Sequence, residues 1–447
     1  MKLQTSLKEF FKVGERGSSL ATEALSGVTT FMAMSYIIFV QPAILHDAGA
    51  PKGGVFFATC VASAIACLLT GLLANLPIAQ APAMGHNAFF AYTVCIGMGF
   101  TWQQGLAAVC VGGLVFMVLS FVGVREAIMT VIPDNLKRAI AGGIGLLITL
   151  IGLEYAGLVV DSETTLVQFG DLTSKYTLLA AGGLAVTLLL LALEIKGAIL
   201  FGILATAVMG YLLTAAGIPL LEVPEAPSLD PGNTILALDF RGLFSRSGAL
   251  GVIVTFLFLD VFDTVGTLVG VGQRSGLMDA QGNLPGARWA LFSDATGTAV
   301  GGLLGTSTIT SYVESAAGIQ AGGRTGLSNI VTAALFLLAL MLYPLLALVS
   351  SPVGPLELYP VIAPALIVVG AMMLQGLARL EWQDPTELFP AFLTIVIIPL
   401  AVSITDGIAV GCITYSFLKL CTGRWRDVHW AFHCISGALL LRYIFLT

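Results

Sequence analysis

The stretch TSTITSYVESAAGI, residues 306–319, places the carboxylate of Glu314 among small and hydroxylated residues. An apolar run, ALFSDATGTAVGGLLG (290–305), ends just before it, and a longer one, GGRTGLSNIVTAALFLLALMLYPLLALV (322–349), begins just after it. An ionisable side chain at the centre of a membrane helix costs about 2.5 to 3.5 kcal/mol on insertion scales, and such residues face the protein interior. The rest of the chain indicates why this one is there.

The composition predicts a membrane protein. Of 447 residues, 57% are hydrophobic and only 10% are charged, and the mean hydropathy is +0.94. Soluble domains carry about 25% charged residues. Apolar stretches of roughly 17 to 25 residues, long enough to cross a bilayer as helices, recur along the chain. We therefore expect an all-α polytopic membrane protein with about 14 transmembrane segments.

Cysteine and histidine give no sign of a metal site. Seven cysteines fall in apolar segments without a CxxC pair, so we expect core side chains rather than disulfides. His429 and His433 are four residues apart, but no carboxylate or thiolate that could complete a metal site lies nearby in sequence. We expect no metal and no cofactor.

The distribution of basic residues predicts the orientation in the cytoplasmic (inner) membrane. With a cytoplasmic N-terminus, four basic residues (Lys52, Lys175, Arg241 and Arg246) fall outside, and Arg442 is unassigned. Fifteen fall inside: Lys2, Lys8, Lys12, Arg16, Arg125, Lys137, Arg138, Lys196, Arg274, Arg288, Arg324, Arg379, Lys419, Arg424 and Arg426. Cytoplasmic loops carry the excess of Lys and Arg, so this bias favours the N-in orientation.

The sequence also predicts an inverted repeat. GLLANLPIAQAPAMG (71–85) and GLLGTSTITSYVESAAG (302–318) share a layout of a GLL end, a polar or Pro-containing stretch and a small-residue helix start, about 231 residues apart. Seven segments per half is an odd number, so the halves have opposite topology, and two matching broken helices point to a transporter's central site. We place the first repeat at 1–220, an extracytoplasmic connection at 221–247, the second repeat at 248–427 and a last apolar segment at 428–447.

Candidate functional residues lie at or beside the broken helices. Asp260 and Asp263 are three apart in LFLDVFDTVGT, on one helix face. Asn87, with His86 beside it, follows the first broken stretch. For Asp263, Glu314 and, less strongly, Asp260, we favour a functional role. For Asp294, Glu154 and Asp406, near segment ends or small-residue faces, we favour a structural role.

This arrangement predicts a planar, polar, uncharged ligand. Short helices starting near Ala83 and Ser315 would direct backbone N–H groups into a cavity, with Glu314 and its neighbours Val313 and Ser315 at its edge. The preceding stretches LPIAQAP and TSTITS are expected to be extended, lining the cavity or pairing with each other. A carboxylate and an amide supply the acceptors and donors that a nucleobase edge requires. Desolvation also favours the protonated form of a carboxyl group, which suits a proton carrier.

Four runs carry a resemblance to a known family. They are GVTTFMAMSYIIFVQPAIL (27–45), APAMGHNAFFAY (81–92), FLDVFDTVGTLVGV (258–271) and GTSTITSYVESAAGIQAGGRTGL (305–327). They resemble the azaguanine-type purine permeases, the hypoxanthine, guanine and adenine carriers of the second nucleobase–cation symporter family. The resemblance implies the uracil-permease fold of seven plus seven inverted segments, with a core and a gate domain. It also implies proton-coupled purine uptake and, often, a homodimer formed through the gate.

The resemblance also implies site residues. Asn87, Asp260, Asp263 and Glu314 match functional positions of the family, and Thr267 lies one turn beyond Asp263. We assign substrate binding to Asp263, Glu314, Asn87, Val313, Ser315 and Thr267, and proton coupling to Asp263, Asp260 and Glu314. Two positions depart from the family pattern: His86 replaces a usual aliphatic residue, and Gln41 replaces a usual Asn. His86 adjoins the broken helix, so it would alter base preference or add a titrating group near neutral pH; a packed histidine behind the site is an equal alternative. Gln41 is a second candidate for base preference.

Other functions stay open at this point. A carrier of xanthine or uracil, or an anion transporter or channel, would use the same architecture, although buried acids disfavour an anion. No HExxH or GxSxG motif indicates an enzyme. We expect a nucleobase and the lipid bilayer as partners, and no nucleic acid. Which purine is preferred does not follow from the sequence.

Overall fold

A computed structural model describes residues 2–122, 131, 133–162, 164–221, 230–275, 277–279 and 284–445. Helices dominate, as predicted. The helices of the first half are α1 (Lys2–Phe10), α2 (Leu20–Met34), α3 (Ile37–Asp47), α4 (Lys52–Leu69), α5 (Met84–Ala88), α6 (Trp102–Val122), α7 (Asp134–Tyr155), α8 (Lys175–Ala192) and α9 (Ala198–Ala215). Two π-helical stretches, Thr70–Ala74 and Phe89–Gly97, extend α4 and α5.

The second half contains the remaining helices. They are α10 (Phe240–Phe244), α11 (Ala249–Ser275), α12 (Ala287–Leu304), α13 (Ser315–Gln320), α14 (Leu327–Leu338), α15 (Tyr343–Ser350), α16 (Ala363–Met373), α17 (Pro385–Leu400), α18 (Ile404–Cys421) and α19 (Trp430–Phe445). Short 3-10 turns lie at Pro231–Asn233, Ala339–Leu342, Leu374–Arg379 and Trp425–Asp427. Within the described residues, nine helical stretches are long and apolar enough to span a bilayer, and three shorter apolar helices accompany them.

Two short strands lie where the sequence predicts broken helices. After α4 and its π turn, Asn75 adopts a left-handed conformation and β1 (Gln80–Pro82) runs into α5. In the second half α12 ends at Gly305, and β4 (Ile309–Ser311) precedes α13. The strands pair antiparallel, with Gln80 opposite Ser311. The two extended stretches therefore satisfy each other's backbone groups deep inside the protein, as an apolar medium requires.

The transmembrane helices pack in two groups. One group, which we call the core, joins α2–α6 to α11–α14. The other, which we call the gate, consists of α7–α9 and α16–α18. A separate hairpin of β2 (Val159–Ser162) and β3 (Leu166–Phe169) follows α7. The last apolar segment forms α19, which packs on α18, where Ser436 Oγ donates to the Cys412 carbonyl at 3.0 Å.

At one end of the molecule, polar contacts join the core to the gate. Asp47, at the end of α3, accepts hydrogen bonds from Tyr92 at 2.8 Å and from Tyr155 of the gate helix α7. The two tyrosine hydroxyls lie 3.1 Å apart. Thr93 Oγ1 donates to the Val402 carbonyl at 3.2 Å. We call this the closed end.

The cysteines differ in part from expectation. Cys60, Cys67, Cys95, Cys110 and Cys412 are buried, as predicted for core side chains. Cys421 and Cys434 are exposed on the protein surface, because they lie on outer faces of α18 and α19.

Candidate functional site

Two adjoining cavities lie between the core and the gate. The larger has a volume of about 380 Å³, within the range of small-molecule pockets. The smaller measures about 100 Å³. Both cavities are lined by Gly85, Asp263, Thr267, Val313 and Met373. Two of the predicted carboxylates, Asp263 and Glu314, thus lie close together where α5, α11 and the start of α13 meet the gate.

Glu314 lies at the edge of the smaller cavity. It is the residue before the first turn of α13, so the break between β4 and α13 brings its side chain to the cavity. Its Oε1 accepts a hydrogen bond from the Tyr36 hydroxyl at 3.0 Å. Tyr36 sits in the turn between α2 and α3 and is itself buried. One carboxylate oxygen is therefore held in place while the group still borders open space.

Asp263 projects from α11 into both cavities. Its side chain is 47% exposed, although the residue lies in the middle of a long apolar helix. Thr310 Oγ1, from β4, donates to its Oδ2 at 3.3 Å. Asp263 is therefore held by β4, the strand that pairs with β1 and leads into Glu314. The two carboxylates offer hydrogen-bond acceptors from two elements of the second half.

Asp260 lies one turn earlier and does not line these cavities. It is 1% exposed, and its Oδ2 accepts a hydrogen bond from Thr298 at 3.1 Å. The neighbouring carboxyl of Asp294 is fully buried and accepts from Thr264 at 2.8 Å. Asp260 and Asp294 therefore form an acidic pair inside the core, between α11 and α12.

Three other predicted residues make hydrogen bonds next to the paired strands β1 and β4. Asn87 is fully buried and accepts a hydrogen bond from Ser307. Ser315 Oγ accepts from the Ala79 amide at 3.0 Å, just before β1. Gln41 donates to Thr306 at 2.9 Å and to Ser307 at 3.2 Å. The structure places these side chains behind the cavity walls, whereas Val313 and Thr267 line both cavities.

Four further residues of the site were not predicted from the sequence. Tyr36 and Tyr312 line the smaller cavity, and the Tyr312 hydroxyl donates to the Pro82 carbonyl. Lys137 and Arg138, at the start of α7, line the larger one. Tyrosine hydroxyls within the quoted runs at 27–45 and 305–327 were a signal that could have identified the first two.

The cavity chemistry suits a small neutral ligand. Two carboxylates and the hydroxyls of Thr267, Thr310 and Tyr36 provide several acceptors and rotatable donors. The remaining lining is largely aliphatic, from Ile140, Ile144 and Met373 among others, with the ring of Phe262 beside them. Apolar walls with a few convergent polar groups are typical of small-molecule sites.

Comparisons with known proteins agree with this architecture. The family model for xanthine and uracil permeases, described as "Permease family", matches residues 21–410. The chain is 42% identical to the guanine/hypoxanthine permease PbuG of Bacillus subtilis over 98% of this chain and 100% of that one. It is 39% identical to the adenine permease AdeP of Escherichia coli over 99% of this chain and 97% of that one.

Among solved structures, the fold resembles the transmembrane domain of a cyanobacterium bicarbonate transporter, BicA. The TM-score is 0.64 and the identity 16%, over 89% of this chain and 97% of that one. At this identity the likeness shows the fold alone, and it is the predicted inverted-repeat transporter fold. The chain therefore belongs to the xanthine/uracil permease family, in the branch that includes guanine/hypoxanthine and adenine permeases.

Proposed function

We propose that this permease imports purine nucleobases across the cytoplasmic membrane together with protons. The observation that carries the proposal is the meeting of Asp263 and Glu314 at one cavity between core and gate. A purine edge alternates N–H donors with ring-nitrogen or carbonyl acceptors, which carboxylates and hydroxyls complement. The chain is a transporter rather than an enzyme, and its purine-permease relatives support this substrate class.

Proton coupling rests on the same acids. A neutral purine carries no charge, while each elementary charge that crosses the membrane gains about 2.3 kcal/mol per 100 mV. Uptake of a neutral purine against its concentration gradient therefore needs a co-transported cation as the driving force. Among the described residues no group of three or more His, Cys, Asp or Glu side chains suits a metal ion. Asp263 is our first candidate for the proton-carrying group, because its side chain is 47% exposed and borders both cavities.

Asp260 has a secondary role in this proposal. It is sealed in the core beside Asp294, so it holds α11 against α12 or relays a proton, rather than touching the base. The N-terminus lies in the cytoplasm, and a homodimer through the gate is expected from the family. Xanthine or uracil is the alternative substrate.

The test is purine-driven proton entry into proteoliposomes under a membrane potential and without sodium. We expect internal acidification with adenine, guanine or hypoxanthine, and little with uracil. Asp263→Asn should abolish it in a folded protein, Asp260→Asn should weaken it less, and Asp171→Asn, in an exposed loop, should leave it unchanged. Purine entry without a pH change, or a requirement for sodium, would refute proton coupling; entry of uracil alone would refute the purine assignment.

A further inference from the structure

His86 is a buried imidazole whose two nitrogens lack a well-formed hydrogen bond to the described residues. It lies in α5, directly after β1, and is 3% exposed. Neither Nδ1 nor Nε2 has a partner within hydrogen-bond geometry among the described residues, and the backbone of Leu259 on α11 is a polar neighbour of the ring. Buried polar side chains are normally paired, and an unpaired one at a ligand site points to a missing partner. A histidine packed merely as a core side chain would be expected to have at least one partner.

The imidazole stands beside Asp263 at the cavity. His86 Nδ1 lies 4.0 Å from Asp263 Oδ2, too far for a direct hydrogen bond. Both residues line the larger cavity, together with Thr267. The carboxylate oxygen already accepts from Thr310, which fixes it from the side of β4. A hydrogen-bond acceptor and an imidazole thus lie side by side in the cavity wall.

The two basic residues of the same cavity each have a partner within the gate, and Lys137 Nζ also lies 5.4 Å from the centroid of the Phe262 ring. Lys137 Nζ lies 2.8 Å from Asp134 Oδ1, one turn away on α7. Arg138 donates to the Arg379 carbonyl at 3.0 Å. Both sit at the start of the gate helix α7. His86 differs from both, because its nitrogens are enclosed in the cavity wall and have no partner within hydrogen-bond geometry among the described residues.

We propose that His86 is a specificity-determining residue that donates a hydrogen bond to a ring nitrogen of the nucleobase, next to the N–H that Asp263 accepts. Neutral imidazole carries one donor and one acceptor, whereas a carboxylate only accepts. Together, His86 and Asp263 complement a base edge that carries an N–H donor and an acceptor ring nitrogen separated by one carbon. The inference rests on the proposed function and deepens it, because it names the ligand atoms that the site reads.

The consequence is discrimination between ring nitrogen and carbon. A site built to hydrogen-bond a substrate group rejects an analogue that lacks it, since its own buried polar group is then left unpaired. Deaza purines replace one ring nitrogen with C–H and barely change shape. An aliphatic side chain at position 86 has no N–H to lose and cannot make this distinction.

The experiment measures equilibrium binding to the purified permease in detergent. The ligands are hypoxanthine and its 3-deaza, 7-deaza and 9-deaza analogues. The variants are His86→Leu, His86→Gln, which keeps a donor and an acceptor, and His46→Leu as the matched control. His46 Nδ1 is paired with the Ala50 carbonyl at 3.0 Å, away from the cavity. Thermal unfolding of each variant verifies that it is folded.

We expect the wild type to bind one deaza analogue about tenfold more weakly than hypoxanthine, the effect of one hydrogen bond. His86→Leu should bind hypoxanthine more weakly and lose that preference, His86→Gln should keep part of it, and His46→Leu should match the wild type. The inference is overturned if folded His86→Leu discriminates among the four ligands as the wild type does. Failure of the wild type to bind any purine would instead contradict the proposed function.

Discussion

At the scale of single residues, the two cavity carboxylates are held by hydroxyl donors from different elements. Tyr36 donates to Glu314 from the turn between α2 and α3, and Thr310 donates to Asp263 from β4. Each contact orients the acid but leaves acceptor capacity, because a carboxylate has about four lone-pair sites. A ligand therefore meets oriented acceptors and need not order them on binding, which favours affinity.

Glu314→Gln tests this role directly. The amide keeps the shape and can still accept from Tyr36, but it removes the charge and one set of acceptor lone pairs. Purine affinity should fall by about 1.5 to 3 kcal/mol, the range for hydrogen bonds to charged groups. Equilibrium binding to the purified, folded variant measures this, with Glu381→Gln on the exposed surface as the control. Unchanged affinity would exclude Glu314 from the binding site.

The side chains of the candidate site were only partly predictable from the sequence. Acids within apolar runs are few, and the predicted broken helices directed attention to Asp263 and Glu314, which both line the smaller cavity. Asn87 and Ser315 lie in the same motifs, yet their side chains bond to Ser307 and the Ala79 amide behind the cavity. Side-chain direction at a broken helix depends on how two distant segments cross, and nothing in either local sequence specifies that crossing.

At the scale of elements, backbones of the two halves approach closely. A Cβ added at Gly326 would lie 2.0 Å from the Gly71 carbonyl oxygen and 2.7 Å from its carbon. The Gly326 amide also donates to Asn75 Oδ1 at 2.7 Å. The start of α14 therefore rests directly on the π-helical end of α4, and a side chain at this contact would separate them.

Gly326→Ala should destabilise the fold by at least about 1 to 3 kcal/mol, the usual effect of overpacking, because the opposing atoms are backbone and cannot rotate away. Thermal unfolding in detergent measures the change. Gly251→Ala is the matched control, since no atom lies within 4 Å of an added Cβ in that part of α11. Equal melting temperatures for the two variants would contradict the close approach.

The contact between core and gate at the closed end gives a second prediction. Tyr155→Phe removes the gate's donor to Asp47 while Tyr92 keeps its own hydrogen bond. A hydrogen bond to a charged group contributes about 1.5 to 3 kcal/mol, so states open at this end should gain at least tenfold in population. A cysteine introduced at Thr93, which contacts the Val402 carbonyl of the gate, should then react correspondingly faster with a soluble maleimide.

Tyr415→Phe provides the control for this prediction. Its hydroxyl donates to Glu387 at 2.6 Å, and both residues belong to the gate. This substitution therefore also removes a tyrosine hydroxyl and its hydrogen bond to a carboxylate, but it leaves the contact between core and gate intact. If Tyr155→Phe and Tyr415→Phe change the labelling rate equally, the Asp47 contacts do not hold that end closed.

At the scale of the whole molecule, basic residues assigned to one side of the membrane lie together. Arg16 donates to the Arg324 carbonyl at 2.9 Å, although 308 residues separate them, and Arg138 donates to the Arg379 carbonyl. All four belong to the predicted cytoplasmic set; Arg125 of that set lies outside the described residues, as does 222–229 of the predicted connection. Composition thus indicated the fold class, because it reflects the bilayer rather than local packing, and the two contacts are consistent with the predicted sidedness, which stays a prediction.

Labelling with a membrane-impermeant thiol reagent tests the orientation. In intact cells, a cysteine at Gly232 should react and one at Gly14 should not, since positive-inside topology places them on opposite sides. Both glycines are exposed. Cys421 and Cys434 must first be replaced by serine, because they are the exposed native thiols among the described residues. The reverse labelling pattern would show that the N-terminus is outside.

The antiparallel pair of β1 and β4 also sets an order for biosynthesis. Gln80 and its neighbour across the pair, Ser311, are 231 residues apart. At about 5 to 20 residues per second, a ribosome needs roughly 10 to 50 s to travel between them. Throughout that interval the nascent first half contains an extended segment whose partner does not yet exist, inside a medium that supplies no substitute hydrogen bonds. The substrate cavity is therefore among the last features to assemble, and a chain released before residue 309 cannot contain it.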